Sequence, residues 1–259
     1  MSRVVRKRFG QHFLHDPGVR QRIVDAVGVR AGDRIVEIGP GPGAITERLI
    51  AAAGSIDAVE IDRDLAAALA TRFGAALRLH VGDALAFDFA ALARQRGGPL
   101  RIVGNLPYNI STPLLFHLLE AVDDLVDLHV MLQKEVIDRM AAAPGAEAYG
   151  RLTVMLAPRL DVTHLFDVGP GAFQPPPRVW SAVARLSVLP EPRFAVPPMY
   201  AAVVAAAFSQ RRKTLRNSLR ALVPEHAFAE CGVDPSARPE TLPPRDFAAL
   251  AALARPAGL

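Results

Sequence analysis

One stretch of the chain holds an unusual concentration of groups able to act on a ligand. In RIVGNLPYNIST, Arg101 to Thr112, an apolar strand-like run breaks at Gly104 into Asn-Leu-Pro-Tyr and restarts as a helix-like segment. The Asn105 side-chain oxygen and a backbone carbonyl at Leu106 or Pro107 are two acceptors, enough to hydrogen-bond both hydrogens of an exocyclic amine such as that of adenine. That amine is a poor nucleophile while its lone pair is delocalised into the ring. Two acceptors favour a pyramidal nitrogen whose lone pair can reach a methyl group. Proline fixes φ and restricts the residue before it, so the carbonyl is held in place before a substrate arrives. Tyr108 offers a flat face on which a base can stack. No strong base is needed, because the methylated amine is acidic and loses its proton late, so positioning and electrostatics supply the rate. The same four residues would also serve as a plain strand-end turn, with Asn105 capping a helix and Tyr108 in the core.

A second stretch, VEIGPGPGAIT, sets Gly39, Gly41 and Gly43 between a strand and a helix. Glycine there lets the backbone turn tightly and lets a ligand come close to helix N–H groups, although a glycine-rich turn can also be only a turn. Glu60 closes the next strand 17 positions beyond Gly43, where a carboxylate could hold both hydroxyls of a ribose. This much fits a nicotinamide dinucleotide and S-adenosylmethionine alike. Asp83, after the third strand, could accept from an adenine amino group, a residue the dinucleotide reading does not require. The spacing is GxGxG rather than the dinucleotide GxGxxG, because residue 44 is Ala. Asp83, Glu60 and Asp62 remain candidates for local helix caps.

The elements needed to position these residues follow from the pattern. RIVEI, IDAVEI, LRLHV, LRIVG and LVDLHVML read as strands, separated by the helix-like ITERLIAAA, DLAAALATRF, FAALARQR and TPLLFHLLEAV. Strands alternating with crossover helices predict a parallel, doubly wound sheet, with Asn105 at the end of the fourth strand beside the first. LDVTHLFDV and SAVARLSVL add two strands. The Pro-rich PEPRFAVPP then marks a boundary, and only helical segments follow: MYAAVVAAAFSQ, RKTLRNSLRALV, PEHAFAECG and RDFAALAALA. The expected division is a basic arm over 1–20, a catalytic α/β domain over 21–190 and a helical domain over 191–259.

Composition bounds the partners. Residues 1–20 hold five Arg and Lys against one acid, 21–169 fourteen against nineteen, and 170–259 eleven against six, so two basic ends flank an acidic middle. That suits a catalytic centre between surfaces that meet a polyanion such as nucleic acid, or simply an arginine-biased solvated surface. Candidate phosphate contacts are Arg6, Lys7 and Arg8 in the arm, and Arg211, Arg212, Lys213 and Arg216 in SQRRKTLRNSLR. There Arg212, Arg216 and Arg220 would share one side of a helix while Leu215, Leu219 and Leu222 pack inward. A single cysteine and the lack of a signal-like or membrane-spanning apolar run lead us to expect a soluble cytoplasmic protein. The seven histidines show no metal-ligand spacing, and no metal is expected.

Taken together, EIGPGPG, NLPYNISTPLLFHLL, MLQKEV, YGRLTV, FQPPPRVWSAV and FSQRRKTLRNSL resemble the ribosomal RNA adenine N6-dimethyltransferase family, most closely its bacterial small-subunit branch. The resemblance runs from about Arg6 to Leu219. It implies a class I Rossmann-like methyltransferase domain with a mostly parallel seven-stranded sheet and a small all-helical C-terminal domain. It also implies transfer of methyl groups from S-adenosylmethionine to two adjacent adenines near the 3′ end of small-subunit rRNA, in a 30S assembly intermediate, by a monomeric enzyme. By position, His12, Leu14, Gly39, Gly41, Glu60, Asp83 and Asn105 would contact the cofactor, Asn105 to Tyr108 would hold the adenine, and Phe173 would stack on its other side. Two residues depart from the pattern. His12 stands where many relatives carry Asn, and Trp180 stands where a small or acidic residue is expected. Trp180 would be another stacking surface or be buried against the C-terminal domain.

Overall fold

A computed structural model describes residues 12–210 and 212–256. Among the described residues nine strands are formed: β1 (Phe13–Leu14), β2 (Ile35–Ile38), β3 (Ile56–Glu60), β4 (Leu77–Val81), β5 (Leu100–Asn105), β6 (Leu125–Gln133), β7 (Leu160–Val168), β8 (Phe173–Gln174) and β9 (Ser181–Val188). Seven of them make one sheet in the order β4-β3-β2-β5-β6-β9-β7. The β3–β4, β2–β3, β2–β5 and β5–β6 pairs are parallel, and β6–β9 is antiparallel. Every residue of β2 and β3 is buried, as expected for central parallel strands covered on both faces. The strand order reverses at β2, which opens a crevice beyond the carboxyl ends of β2 and β5.

The crossover helices begin and end where side chains dictate. Asp62 accepts from the N–H groups of Asp64 and Leu65 to start the helix Arg63–Phe73, and Asp88 accepts from Ala91 at 2.7 Å to start Phe89–Arg96. Gly97 closes the latter in the left-handed region at φ 72°. The helix Pro17–Val27 crosses the expected boundary at residue 20. Asp16 caps it by accepting from Val19 N at 2.8 Å and Pro17 opens it, so ordered structure begins before that boundary.

The described residues form two compact units, one lying within 1–137 and 162–188 and the other within 138–161 and 189–259. The second unit therefore takes in a segment that the linear division at 190 leaves in the α/β domain. Its core gathers Tyr149, Val154, Tyr200, Val204, Phe228 and Phe247. The Tyr149 hydroxyl donates to the Leu242 carbonyl at 2.7 Å and the Tyr200 hydroxyl to Val154 at 2.8 Å, which satisfies both buried phenols and ties the early segment to the later helices. Among the described residues the helix expected over RKTLRNSLRALV is cut short, so that of Arg212, Arg216 and Arg220 only Arg216 lies within it. The helix Tyr200–Ala207 ends before Arg212, and the next spans only Leu215–Leu219. The N–H groups of Leu215 and Arg216 bond to the carbonyls of Ala237 and Pro235, which fixes the start of this short helix after Arg212, so the i, i+4, i+8 row of arginines is not held on one helix. Among the described residues no helix is long and apolar enough to cross a membrane.

Candidate active site

The cavity at the carboxyl ends of β2, β3 and β5 is lined by His12, Leu14, Gly39, Gly41, Glu60, Asp83 and the whole of Asn105 to Tyr108. All these sequence-selected residues thus meet in one place within the α/β unit. The turn after β2 runs through left-handed backbone at Gly39, Gly41 and Gly43, with φ of 66°, 57° and 84°, conformations that side chains rarely tolerate. Space demands the same residues. A Cβ on Gly41 would come within 3.3 Å of the Phe13 ring, and one on Gly43 within 3.1 Å of Phe73 and 3.2 Å of Leu69. Gly39 and Gly41 face the cavity, while Gly43 lets the turn pack on the helix behind it.

Glu60 is only 4% exposed, and its two oxygens accept from Gly41 N at 3.1 Å and Asp62 N at 2.9 Å. Burial pushes its carboxyl above the usual range, and these backbone donors partly offset that. The carboxylate is thereby fixed against the glycine turn, with lone pairs remaining on each oxygen for a ligand. Asp83 lines the cavity and also caps the single turn Ala84–Ala86 through Leu85 N at 2.9 Å, so both roles read from the sequence coexist.

At the Asn-Leu-Pro-Tyr corner the hydrogen bonds sort the atoms. The Asn105 side-chain nitrogen donates to the His12 carbonyl at 3.1 Å, which leaves the side-chain oxygen as the acceptor for a ligand. The Pro107 carbonyl already accepts from Ile110 N at 3.2 Å, whereas the Leu106 carbonyl accepts from no described residue. Of the two carbonyls considered, Leu106 is therefore the one with capacity to spare. Its own N–H is pinned to Met131 O at 3.1 Å and its side chain is buried. Gly104 brings this corner against β2, since a Cβ there would sit 2.7 Å from the Ile38 carbonyl oxygen. Tyr108 is half-buried, its hydroxyl 2.6 Å from that of the fully buried Ser181, and burial raises its pKa.

His12 bonds through Nδ1 to the Pro175 carbonyl at 2.8 Å, so Nδ1 carries the proton. Its ring lies 5.6 Å from that of Tyr108 at 28°. Leu14 is buried in β1, which pairs with β8 so that Leu14 faces Phe173. Phe173 itself is a correction. It is 1% exposed, packs in the core with Leu14, Val168, Ala172 and Val183, and does not line the cavity, so its ring has no free face for a base. Trp180 is 56% exposed. Arg212, Lys213 and Arg216 are exposed, and Arg216 pairs with Glu225 at 2.6 Å. Arg6, Lys7, Arg8 and Arg211 lie outside the described residues.

Among the lining residues that escaped the sequence reading, three bear on the chemistry. Ile61, an apolar residue directly after Glu60, is 46% exposed at the cavity wall. Glu37 and His129 lie deeper, each 2% exposed. They fall on one row across the sheet, Glu37 opposite Val103 and Val103 opposite His129. The Glu37 Oε2 and both His129 ring nitrogens lack hydrogen bonds among the described residues, with Asp127 Oδ1 3.7 Å from His129 Nδ1. The available signal was a polar residue inside a largely apolar strand run, Glu in RIVEI and His in LVDLHVML. No group of three or more His, Cys, Asp or Glu among the described residues could hold a metal ion.

A family model described as ribosomal RNA adenine dimethylase matches residues 3–255. The ribosomal RNA small subunit methyltransferase A of Methylococcus capsulatus is 54% identical over 96% of this chain and 98% of its own. That of Pseudomonas aeruginosa is 52% identical over 96% and 93%. Among solved structures, a dimethyladenosine transferase from Plasmodium falciparum has a TM-score of 0.79 at 24% identity, covering 94% of this chain and 99% of that one. The 23S rRNA methyltransferase ErmE has a TM-score of 0.71 at 26% identity, covering 93% and 98%. The fold is that of the class I methyltransferases, and with the match spanning almost the whole sequence the chain belongs to the ribosomal RNA adenine dimethylase family.

Proposed function

We propose that this chain uses S-adenosylmethionine to dimethylate the N6 amines of two adjacent adenines near the 3′ end of 16S rRNA, acting as a cytoplasmic monomer on an assembling 30S subunit. One observation carries the reading: the Asn-Leu-Pro-Tyr corner, with one side-chain and one backbone acceptor left over, opens into the same cavity as the glycine turn, Glu60 and Asp83. The small-subunit assignment is supported by the names of relatives more than half identical to the chain.

The residues present fit the donor. The bare backbone at Gly41 admits a ligand where a Cβ would already press on Phe13, Glu60 presents a buried carboxylate for ribose hydroxyls, and Asp83 offers an acceptor to an adenine edge. S-adenosylmethionine supplies an electrophilic methyl group. The Asn105 oxygen and the Leu106 carbonyl accept the two amine hydrogens of the target adenine and favour a pyramidal nitrogen. Tyr108 supports the base, its ring held by the hydroxyl contact to Ser181. With the donor bound, each transfer would exchange its S–CH3 bond for one N–C bond, S-adenosylhomocysteine leaving with the sulfur electron pair, and the methylated amine would give its proton to water. Binding an adenine that has left its stack is the step the apolar walls of Leu106 and Ile61 favour.

The test is transfer of labelled methyl groups to small subunits lacking the modification, beside naked large-subunit RNA, with the modified base mapped. Label in two adjacent adenines of the small-subunit RNA is expected. Label confined to large-subunit RNA would move the assignment to the ErmE-like activity, and no label in either would overturn the enzyme reading.

A further inference from the structure

Trp180 is the chain's single tryptophan, and at 56% exposure it is the most exposed large apolar side chain beside Val81. Its backbone is well anchored. The Trp180 carbonyl accepts from Lys134 N at 2.9 Å, and the next residue is Ser181, fully buried and 2.6 Å from the Tyr108 hydroxyl. The far edge of the indole runs beside Gly169, where a Cβ would lie 3.6 Å from the ring, ordinary contact distance. A fixed indole thus stands in solvent one residue from the group that holds Tyr108.

The sheet register gives its place relative to the corner. Asn105 is opposite Met131, Met131 opposite Val183, and Gln133 opposite Ser181. Trp180 therefore lies at the same end of the sheet as Asn105, two strands across and three residues further out, about 10 Å in each direction. It does not line the cavity. An RNA strand delivering an adenine to Asn105 and leaving over β9 passes this point.

We propose that Trp180 is a positioning residue that stacks on the base of a nucleotide flanking the target adenine, with Arg178 meeting the adjoining phosphate. This rests on the RNA-adenine reading above. Three features favour a base over a protein partner. Among the described residues of this segment the large apolar side chains exposed are Trp180 and its neighbour Val179, at 44%, far smaller than a protein docking patch. Arg178 is exposed and makes no ion pair with a described residue, which gives an indole and a guanidinium two positions apart, the combination that holds single-stranded nucleic acid. Finally, the platform is continuous with the corner through Ser181 and Tyr108.

The single tryptophan makes the test direct. Emission at Trp180 is followed while an RNA fragment carrying the target adenines is bound, with binding measured separately by anisotropy of a dye on the RNA. Stacking predicts quenching that disappears when one flanking base is removed as an abasic site. On unmodified small subunits, Trp180→Ala is expected to raise KM about tenfold with kcat unchanged, and Trp180→Phe to restore most of the loss. Unchanged KM in Trp180→Ala, or quenching that survives every flanking abasic substitution, would overturn the stacking role while leaving the function intact. Absence of methyl transfer by the unaltered chain would sink both.

Discussion

Replacing Glu37 by glutamine probes how the floor of the cavity is built. Glu37 is 2% exposed and its Oε2 has no hydrogen bond among the described residues. Burial pushes its pKa from 4.5 up to about 8, the Thr46 hydroxyl beside it offsets part of that rise, and the nearby Glu60 carboxylate adds a smaller push upward. In the unfolded chain the group titrates at its ordinary value. Between those two pKa values the folded carboxyl keeps a proton that the unfolded one has lost, so stability falls as pH rises, by about 1.4 kcal/mol per unit. By pH 7 the loss is about 3 kcal/mol, and above pH 8 it levels near about 5 kcal/mol, upper bounds because water entering the cavity would trim them. Glutamine has nearly the same shape and stays neutral, so it escapes this slope. Urea unfolding of both chains from pH 5 to pH 9 should show Glu37→Gln nearly equal to the parent at the acid end and progressively more stable toward pH 8. Parallel stability curves would refute the reasoning, because they would mean that Glu37 is ionised and satisfied in the folded state.

Other perturbations test the remaining parts. Asn105→Ala should lower methyl transfer by about 10²- to 10³-fold, the cost typical of losing one positioned polar group, with little change in melting temperature; near-normal turnover would remove the corner from the chemistry. Gly104→Ala puts a Cβ 2.7 Å from the Ile38 carbonyl oxygen and 2.9 Å from Leu106, so a loss of about 1–3 kcal/mol in denaturant stability is expected. Asp57, buried in β3, accepts from His80 at 2.7 Å, Arg96 at 2.6 Å and Arg78 at 3.1 Å. Burial alone would raise its pKa, but those donors outweigh it and hold it at about 2. The group therefore contributes stability above pH 4 that is lost as pH falls toward 2, about 2 kcal/mol in all, and Asp57→Asn should flatten that part of the acid unfolding curve.

The seven long strands were legible because each is a short run rich in β-branched and aliphatic residues set between turns or helix-like segments, and FAALARQR matches its helix, Phe89–Arg96, residue for residue. Local signals sufficed wherever a cap or glycine decides the boundary. They failed where a distant partner decides it. The two-residue strands β1 and β8 exist only because Leu14 meets Phe173 across more than 150 positions. The basic helix after Ser209 is broken because Leu215 and Arg216 find acceptors at Ala237 and Pro235. For the same reason residues 138–161 join the C-terminal helices: the buried Tyr149 hydroxyl needs Leu242. In the site, residue types and their order along the chain selected Asn105, Glu60 and Asp83, but the choice of Leu106 over Pro107 depends on which carbonyl Ile110 N–H consumes, a matter of backbone geometry.

The same dependence on backbone contacts links the N-terminal strand to the reacting corner. Asn105 can present its oxygen to an amine only while its nitrogen has another acceptor, and that acceptor is the main-chain carbonyl of His12. His12 is in turn held by its ring to Pro175 and lies against the Tyr108 ring, while Leu14, two residues on, is clamped through its carbonyl by Arg20 at 2.7 Å. With Phe173 committed to the core, the aromatic neighbour of Tyr108 in the cavity among the described residues is His12. A base entering against Tyr108 therefore either takes the face opposite His12 or displaces that ring, and displacement would pull on the carbonyl that orients Asn105. The imidazole at this position thus sits where base entry and amine orientation are mechanically joined, through one residue's side chain and its own backbone.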